Sequence, residues 1–287
     1  MDVIMTGMSC DWPSFRPYAV SLSRSGFKGA KVVFAEDVSK ETKNHIERLG
    51  FQIFDVETPQ QTSDVFPRHI RKLVYRFLAP SELLQNNSFR YAAFVDSRDV
   101  VFQADPMLWL EKNLGDKELA LAGLSHTSIG CPWNDEWIRN AAQDDELWKT
   151  VLKQETVCSG VLAGTSGALQ DLLRDIHGGI LHNRRAIARD RMLGVDQGML
   201  NCLARTSPYK ELSMVPSIDE PFVAQWWPAR RANLAQFKMS PLHSPERDPI
   251  FDESTGEVRT WDGELYSMVH LYDRSPKWVK IMQEKYI

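Results

Sequence analysis

The segment YAAFVDSRDVVFQADP, residues 91–106, sets two carboxylates, Asp96 and Asp99, directly behind an apolar run. Carboxylate oxygens suit a hard divalent cation such as Mg²⁺ or Mn²⁺, which takes only one or two of them from a protein and leaves its other positions to water and phosphate. A cation so held acts as a Lewis acid on a departing phosphate oxygen. Aspartates after a strand also serve simply to cap a turn, so the pair alone leaves both readings open. Farther along, GVDQGMLN (194–201) places a carboxylate and an amide side by side at Asp196 and Gln197, and Asp196 is equally placed to cap a helix. CSGVLAGT (158–165) offers Ser159 and Gly160, where a glycine lets a ligand approach the backbone or merely punctuates a strand.

Such side chains need a scaffold, and the first 57 residues supply its rhythm. Short apolar runs (VIMTGM, KVVFAE, FQIFDV) alternate with helical patterns through Tyr18 to Ser25 and Ser39 to Leu49, which predicts a parallel sheet with right-handed crossovers. Ser39 opens the second helix and Gly50 closes it. The pattern FPRHIRKLVYRFLAPSELL (66–84) predicts a helix interrupted near Pro80, with Arg68, Arg71, Lys72 and Arg76 at near-helical spacing. YAAFVD, ELALAGL and VCSGVLAGT read as further strands, and SGALQDLLRDIHGGI as an amphipathic helix. Asp96 and Asp99 then fall at the C-terminal edge of a buried strand, where open α/β sheets bind ligands. Residues 225–263 show little periodicity and read as a long irregular connection.

The bulk composition narrows the function classes. With 287 residues, 43% hydrophobic and 25% charged, the chain can fill a core as one α/β unit. A net charge of −4 gives no support to nucleic-acid binding. Cys10, Cys131, Cys158 and Cys202 are widely spaced, with no C-x-x-C pair, which argues against a zinc site or a disulfide framework and for a reducing compartment. No stretch approaches 18 apolar residues, so a cytoplasmic protein without a transmembrane segment is expected, transient contact with a membrane surface being compatible with it.

FVDSRDVVFQADP resembles the Asp-x-Asp region of GT-A glycosyltransferases, with Arg98 two positions after Asp96 and the second carboxylate one place late, an Asp-x-Arg-Asp variant. CSGVLAGT resembles the family's N-[SA]-G-V-x-x-G segment, with Cys158 in place of Asn, and GVDQG resembles its Asp-Gln pair. MVHLYDRSPKW (268–278) resembles the C-terminal His motif of family-8 retaining enzymes. The motifs follow one another in family order from Arg71 to Trp278.

This resemblance implies an α/β fold of the GT-A type, a mostly parallel Rossmann-like sheet flanked by helices with an irregular acceptor-side lobe. It implies a single domain over 1–287, in which 1–106 is the nucleotide-sugar donor half and 107–287 the acceptor half with its C-terminal closure. The implied activity moves a sugar from a nucleotide diphosphate sugar to a glycan or lipid-linked saccharide, with retention, using Mn²⁺ or Mg²⁺. Asp96, Asp99 and His270 are the implied metal ligands, a neutral imidazole suiting Mn²⁺ better than Mg²⁺. Arg71, Asp96, Arg98, Ser159, Gly160 and Lys277, with Arg274 beside it, are the implied donor contacts. Asp196 and Gln197 are the implied groups near the anomeric centre. Whether Arg98 or Asp99 takes the second donor-site role stays open. So do an inverting reaction and a catalytically silent sugar-binding protein. A phosphohydrolase of the haloacid dehalogenase type is disfavoured, since it needs a general-acid Asp at the place of Arg98. Trp133, Trp137, Trp226, Trp227 and Trp261 are candidates for stacking on sugar faces, with packing as the commoner role.

Overall fold

A computed structural model describes residues 1–57, 75–183, 194–225, 227–239 and 241–287, the side chains of 227–230 excepted. Arg68, Arg71, Lys72 and Trp226 lie outside the described residues. The N-terminal rhythm is β1 (Val3–Met8), α1 (Trp12–Arg24), β2 (Ala30–Ala35), α2 (Lys40–Arg48) and β3 (Gln52–Asp55). Helix α1 begins at Trp12 rather than at Tyr18, because the Asp11 carboxylate accepts the Ser14 amide and Pro13 occupies the first turn, where its missing N–H costs nothing. Ser39 caps α2 as expected, accepting the Thr42 amide, and Gly50 follows it with φ 78°.

The chain continues through α3 (Leu78–Gln85), β4 (Tyr91–Val95), β5 (Val100–Phe102), α4 (Pro106–Asn113), β6 (Leu119–Thr127), α5 (Pro132–Ala141), α6 (Asp145–Leu152), β7 (Glu155–Thr165) and α7 (Ser166–Leu181). After these come α8 (Val195–Leu203), α9 (Tyr209–Leu212), β8 (Ser213–Met214), β9 (Val223–Gln225) and α10 (Trp227–Gln236). The last elements are β10 (Ile250–Asp252), β11 (Glu257–Arg259), β12 (Met268–His270) and α11 (Pro276–Lys285). Among the described residues the main sheet has seven strands in the order β3-β2-β1-β4-β7-β6-β8. Its pairings are parallel except those of β7 with β4 and β6.

Strand alternation divides the core between the two faces of this sheet. Val3, Met5, Phe94 and Leu162 pack with Leu169, Leu172 and Ile176 of α7 on one face. Ile4, Val33, Ala93 and Val161 pack with Phe15, Tyr18 and Leu22 of α1 and Leu110 of α4 on the other. A sheet apolar on both sides, covered by helices, is the α/β layering the runs predicted.

Residues 225–263, expected to be irregular, instead carry α10 and the β10–β11 hairpin. Strands of three residues are too short to show a period. Gln103 secures the hairpin, its Nε2 donating to the Val258 and Tyr266 carbonyls while its Oε1 accepts the Val258 amide. A second sheet, β5-β12-β9, runs antiparallel between β12 and β5 and sets His270 opposite Val100. It thereby returns the C-terminal segment to the acidic turn after β4. No helix among the described residues is long and apolar enough to cross a membrane.

Candidate functional site

Strand β4 lies between β1 and β7 and delivers Asp96 at its C-terminal edge. The Asp96 amide donates to the Gly160 carbonyl at 2.8 Å, and the Asp99 carbonyl accepts the Leu271 amide at 2.9 Å. The acidic turn is therefore held from both sides, by β7 and by the residue after β12. One ligand atom from each of Asp96, Asp99 and His270 lies within 4.8 Å of the others. His270 Nε2 stands 3.6 Å from Asp99 Oδ1 and 3.9 Å from Asp96 Oδ2. His270 is 1% exposed, and its Nε2 has no hydrogen-bond partner among the described residues. Burial first, and then the negative charges of Asp96 and Asp273, push the Asp99 carboxyl up to about 8. Two converging carboxylates, one of them held back from ionising by its burial, and an imidazole nitrogen with no partner among the described residues fit a divalent cation, which relieves both.

Behind this cluster, β7 passes so close that residue 160 has no room for a side chain. A Cβ there would sit 2.3 Å from His270 Cε1 and 2.8 Å from Asp96 Oδ2. Cys158, on the same strand, places its sulfur 3.9 Å from His270 Nδ1, on the far side of the ring from the carboxylates. Ser159 turns the other way, its hydroxyl donating to Asp196 Oδ2 at 3.2 Å.

Among the basic residues ahead of β4, Arg71 was the choice from sequence, and it lies outside the described residues. Arg76 stands in the site. Its guanidinium is 2.9 Å from Asp96 Oδ1 and 4.0 Å from Asp196 Oδ2, and it donates to the Ser159 carbonyl at 3.1 Å. It also lies over the rings of Phe77 and Phe94. Burial works against its charge, but Asp96 and Asp196 outweigh burial and hold the group above its ordinary range.

Asp196 does not serve as the N-cap of α8. That place belongs to Gly194 at φ 69°, with no side-chain cap bond, and the Asp196 carboxylate in the first turn is spent on Ser159 and Arg76. Gln197 Nε2 donates to Asn134 Oδ1 of α5 at 2.5 Å. Asn201, one turn on, clasps β7 by accepting the Val157 amide and donating to the Val157 carbonyl. Sequence reasoning missed Asn134 and Asn201, since an isolated amide carries no motif.

In front of Asp96 opens a cavity of about 610 Å³, lined in part by Met8, Glu36, Arg76, Asp96, Arg98 and Arg274. It lies at the C-terminal edges of β1, β2 and β4 and also touches Asp99. Arg98 is largely exposed at this cavity, 3.9 Å from Asp273. Lys277 is not part of the lining: it is 66% exposed and paired with Glu253. Arg274, unlike Lys277, is among the residues that line the cavity. Trp137 is a packing residue, its ring against Gly194, and Trp133 meets Phe237 edge-on while remaining exposed. Trp261 is exposed near Arg247.

No family model and no curated protein matches this chain. Solved structures do resemble it. One is the galactosyltransferase LgtC in complex with donor and acceptor sugar analogues, at 14% identity, with a TM-score of 0.58 over 99% of this chain and 96% of that one. Another is mouse xyloside xylosyltransferase 1 in its apo form, at 12% identity, with a TM-score of 0.54 over 96% of this chain and 99% of that one. A likeness that spans nearly the whole of each chain shows that this protein has the α/β fold of the GT-A glycosyltransferases.

Proposed function

We propose that this chain is a glycosyltransferase that moves a sugar from a nucleotide diphosphate sugar to a hydroxyl of a glycan or lipid-linked saccharide, with retention of configuration. The observation that carries the reading is the unpartnered Nε2 of His270 converging with Asp96 and Asp99 beside the cavity. Those three residues would hold a Mn²⁺ or Mg²⁺ ion, which would supply Lewis-acid neutralisation of the departing diphosphate.

The other residues bind and orient. Arg98 and Arg274 offer guanidinium donors to phosphate oxygens at the cavity, where a bidentate fork matches phosphate geometry. Arg76 fixes the Asp96 carboxylate and links it to Asp196, which joins the two sides of the site in one charge network. Ser159, Asp196 and Gln197 provide hydroxyl, carboxylate and amide groups for sugar hydroxyls and for positive charge growing at the anomeric carbon. In a front-face reaction the bond from the anomeric carbon to the phosphate oxygen breaks with its electron pair leaving on that oxygen. The acceptor oxygen bonds to the same face, and its proton passes to the departing phosphate.

The test is a panel of UDP- and GDP-sugars with Mn²⁺, scored for a rise in melting temperature and for donor hydrolysis. Asp96→Ala and His270→Ala should each abolish metal-dependent turnover with the far-UV spectrum unchanged. Wild-type turnover in either variant overturns the metal site, and binding of donors without any hydrolysis overturns the enzyme reading in favour of a silent binding protein.

A further inference from the structure

We infer that Asn134 is a positioning residue that decides which end of the Gln197 amide meets the substrate, an inference that rests on the glycosyltransferase reading above. Both side chains are buried, Asn134 at 4% and Gln197 at 9% exposure. Gln197 Nε2 donates to Asn134 Oδ1 at 2.5 Å, and Asn134 Nδ2 donates in turn to Cys131 Sγ at 3.2 Å. Reversing either amide alone sets like ends against each other, so the two are locked as a pair. The main chain beneath them is fixed as well. Asn201 Nδ2 donates to the Gln197 carbonyl, and Asn201 is clasped to Val157 of β7, next to Cys158 and Ser159.

The consequence is chemical. With its NH₂ held toward α5, Gln197 presents its carbonyl oxygen on the other side of the amide. An oxygen carrying partial negative charge stabilises positive charge at the anomeric carbon, and an NH₂ in the same place opposes it. Asn134 thus acts on the transition state through Gln197 without touching the sugar.

Two substitutions separate orientation from packing. Asn134→Leu keeps the branched shape, with methyl groups in place of the amide oxygen and nitrogen, and removes the acceptor, which frees the Gln197 amide to turn over. Asn134→Asp presents only acceptors, so Gln197 Nε2 must still face it, and a carboxylate in the first turn of α5 is favoured by the helix dipole. With the sugar nucleotide of the panel that the wild type hydrolyses best, Asn134→Leu should lower kcat by about 10²-fold at unchanged donor KM. Asn134→Asp should retain most of kcat even where its melting temperature falls. Equal kcat in wild type and Asn134→Leu, or equal losses in both variants, overturns the inference. A wild type that hydrolyses no donor overturns the enzyme reading instead. The pair is then judged by the Gln197 side-chain NH₂ signals in a nitrogen-15 spectrum, assigned by their loss in Gln197→Leu. Slow hydrogen exchange that becomes fast in Asn134→Leu supports the locked amide, and fast exchange in wild type overturns it.

Discussion

A Cβ built on Gly160 would lie 2.5 Å from His270 Nε2, so β7 and β12 meet at the site only because residue 160 lacks a side chain. In Gly160→Ala the imidazole must swing away, since the opposing contacts include Asp96 Oδ2 at 2.8 Å. The sheet itself should survive, alanine being an ordinary strand residue. Mn²⁺ should raise the melting temperature of the wild type and leave that of Gly160→Ala unmoved, with matching far-UV spectra. An equal metal-induced rise in both would refute the close approach of His270 to the acidic turn.

Arg76 balances two carboxylates, and its removal should be felt in stability as well as activity. Breaking a fully buried ion pair costs several kcal/mol, but Arg76 is 18% exposed and Asp96 32%, so solvent screening lowers the expected cost to about 2 kcal/mol. Arg76→Met is the variant to use, and urea denaturation the measurement. Arg76→Lys should recover little of the loss, because one ammonium cannot span Asp96, Asp196 and the Ser159 carbonyl together. Full recovery by lysine would mean that charge alone, without the guanidinium's forked geometry, is what the site requires.

Much of this architecture was legible in the residues because buried sheets write long apolar runs. Strands β1, β4, β6 and β7 are apolar nearly throughout, and the acidic turn after β4 stands out against that background. Strands β5, β9 and β12 have three residues each, and nothing local marks His270 as returning to Asp96. That meeting is a product of the second sheet. Arg76 could not be singled out from Arg71 because near-helical spacing treats all members of a basic run alike. Asn134 and Asn201 were invisible for a different reason: the role of an amide is set by its partner, and both partners are far away in the chain.

The start of β1 gives a pH signature independent of the site. Arg90 donates to both oxygens of Asp2 at 2.9 and 3.1 Å, and the Tyr91 amide adds a third bond. Chiefly through the Arg90 hydrogen bond, the Asp2 carboxyl is held below its ordinary value. A depressed carboxyl stabilises the fold above its unfolded-state pKa, and that contribution is lost as pH falls through the lower folded-state value. Asp2→Asn should therefore unfold at lower urea than the wild type at about pH 7, and the gap between the two midpoints should shrink steadily as pH falls below the usual aspartate pKa and through the lower folded-state value. A gap that persists undiminished in acid would assign the loss to packing or hydrogen bonding rather than to the ionised carboxylate.

Two glycines in helices should respond to alanine with opposite signs. Glycine inside a helix is ordinarily worse than alanine by about 1 kcal/mol, so Gly178→Ala in α7, where an added Cβ meets nothing within 4 Å among the described residues, should stabilise. Gly198 in α8 faces the Trp137 main chain of α5, and a Cβ there would lie 2.2 Å from the Trp137 carbonyl oxygen and 2.6 Å from its carbon. Backbone cannot step aside as a flexible side chain can, and overpacking of this kind costs about 1–3 kcal/mol, enough to reverse the helix gain. Gly198→Ala should accordingly lower the melting temperature while Gly178→Ala raises it. Because the same displacement moves α5 away from α8, it lengthens the contact between Asn134 and Gln197. Donor hydrolysis by Gly198→Ala should therefore fall in kcat even at temperatures where the protein is fully folded, and undiminished kcat there would show that the spacing of α5 and α8 does not govern the chemistry.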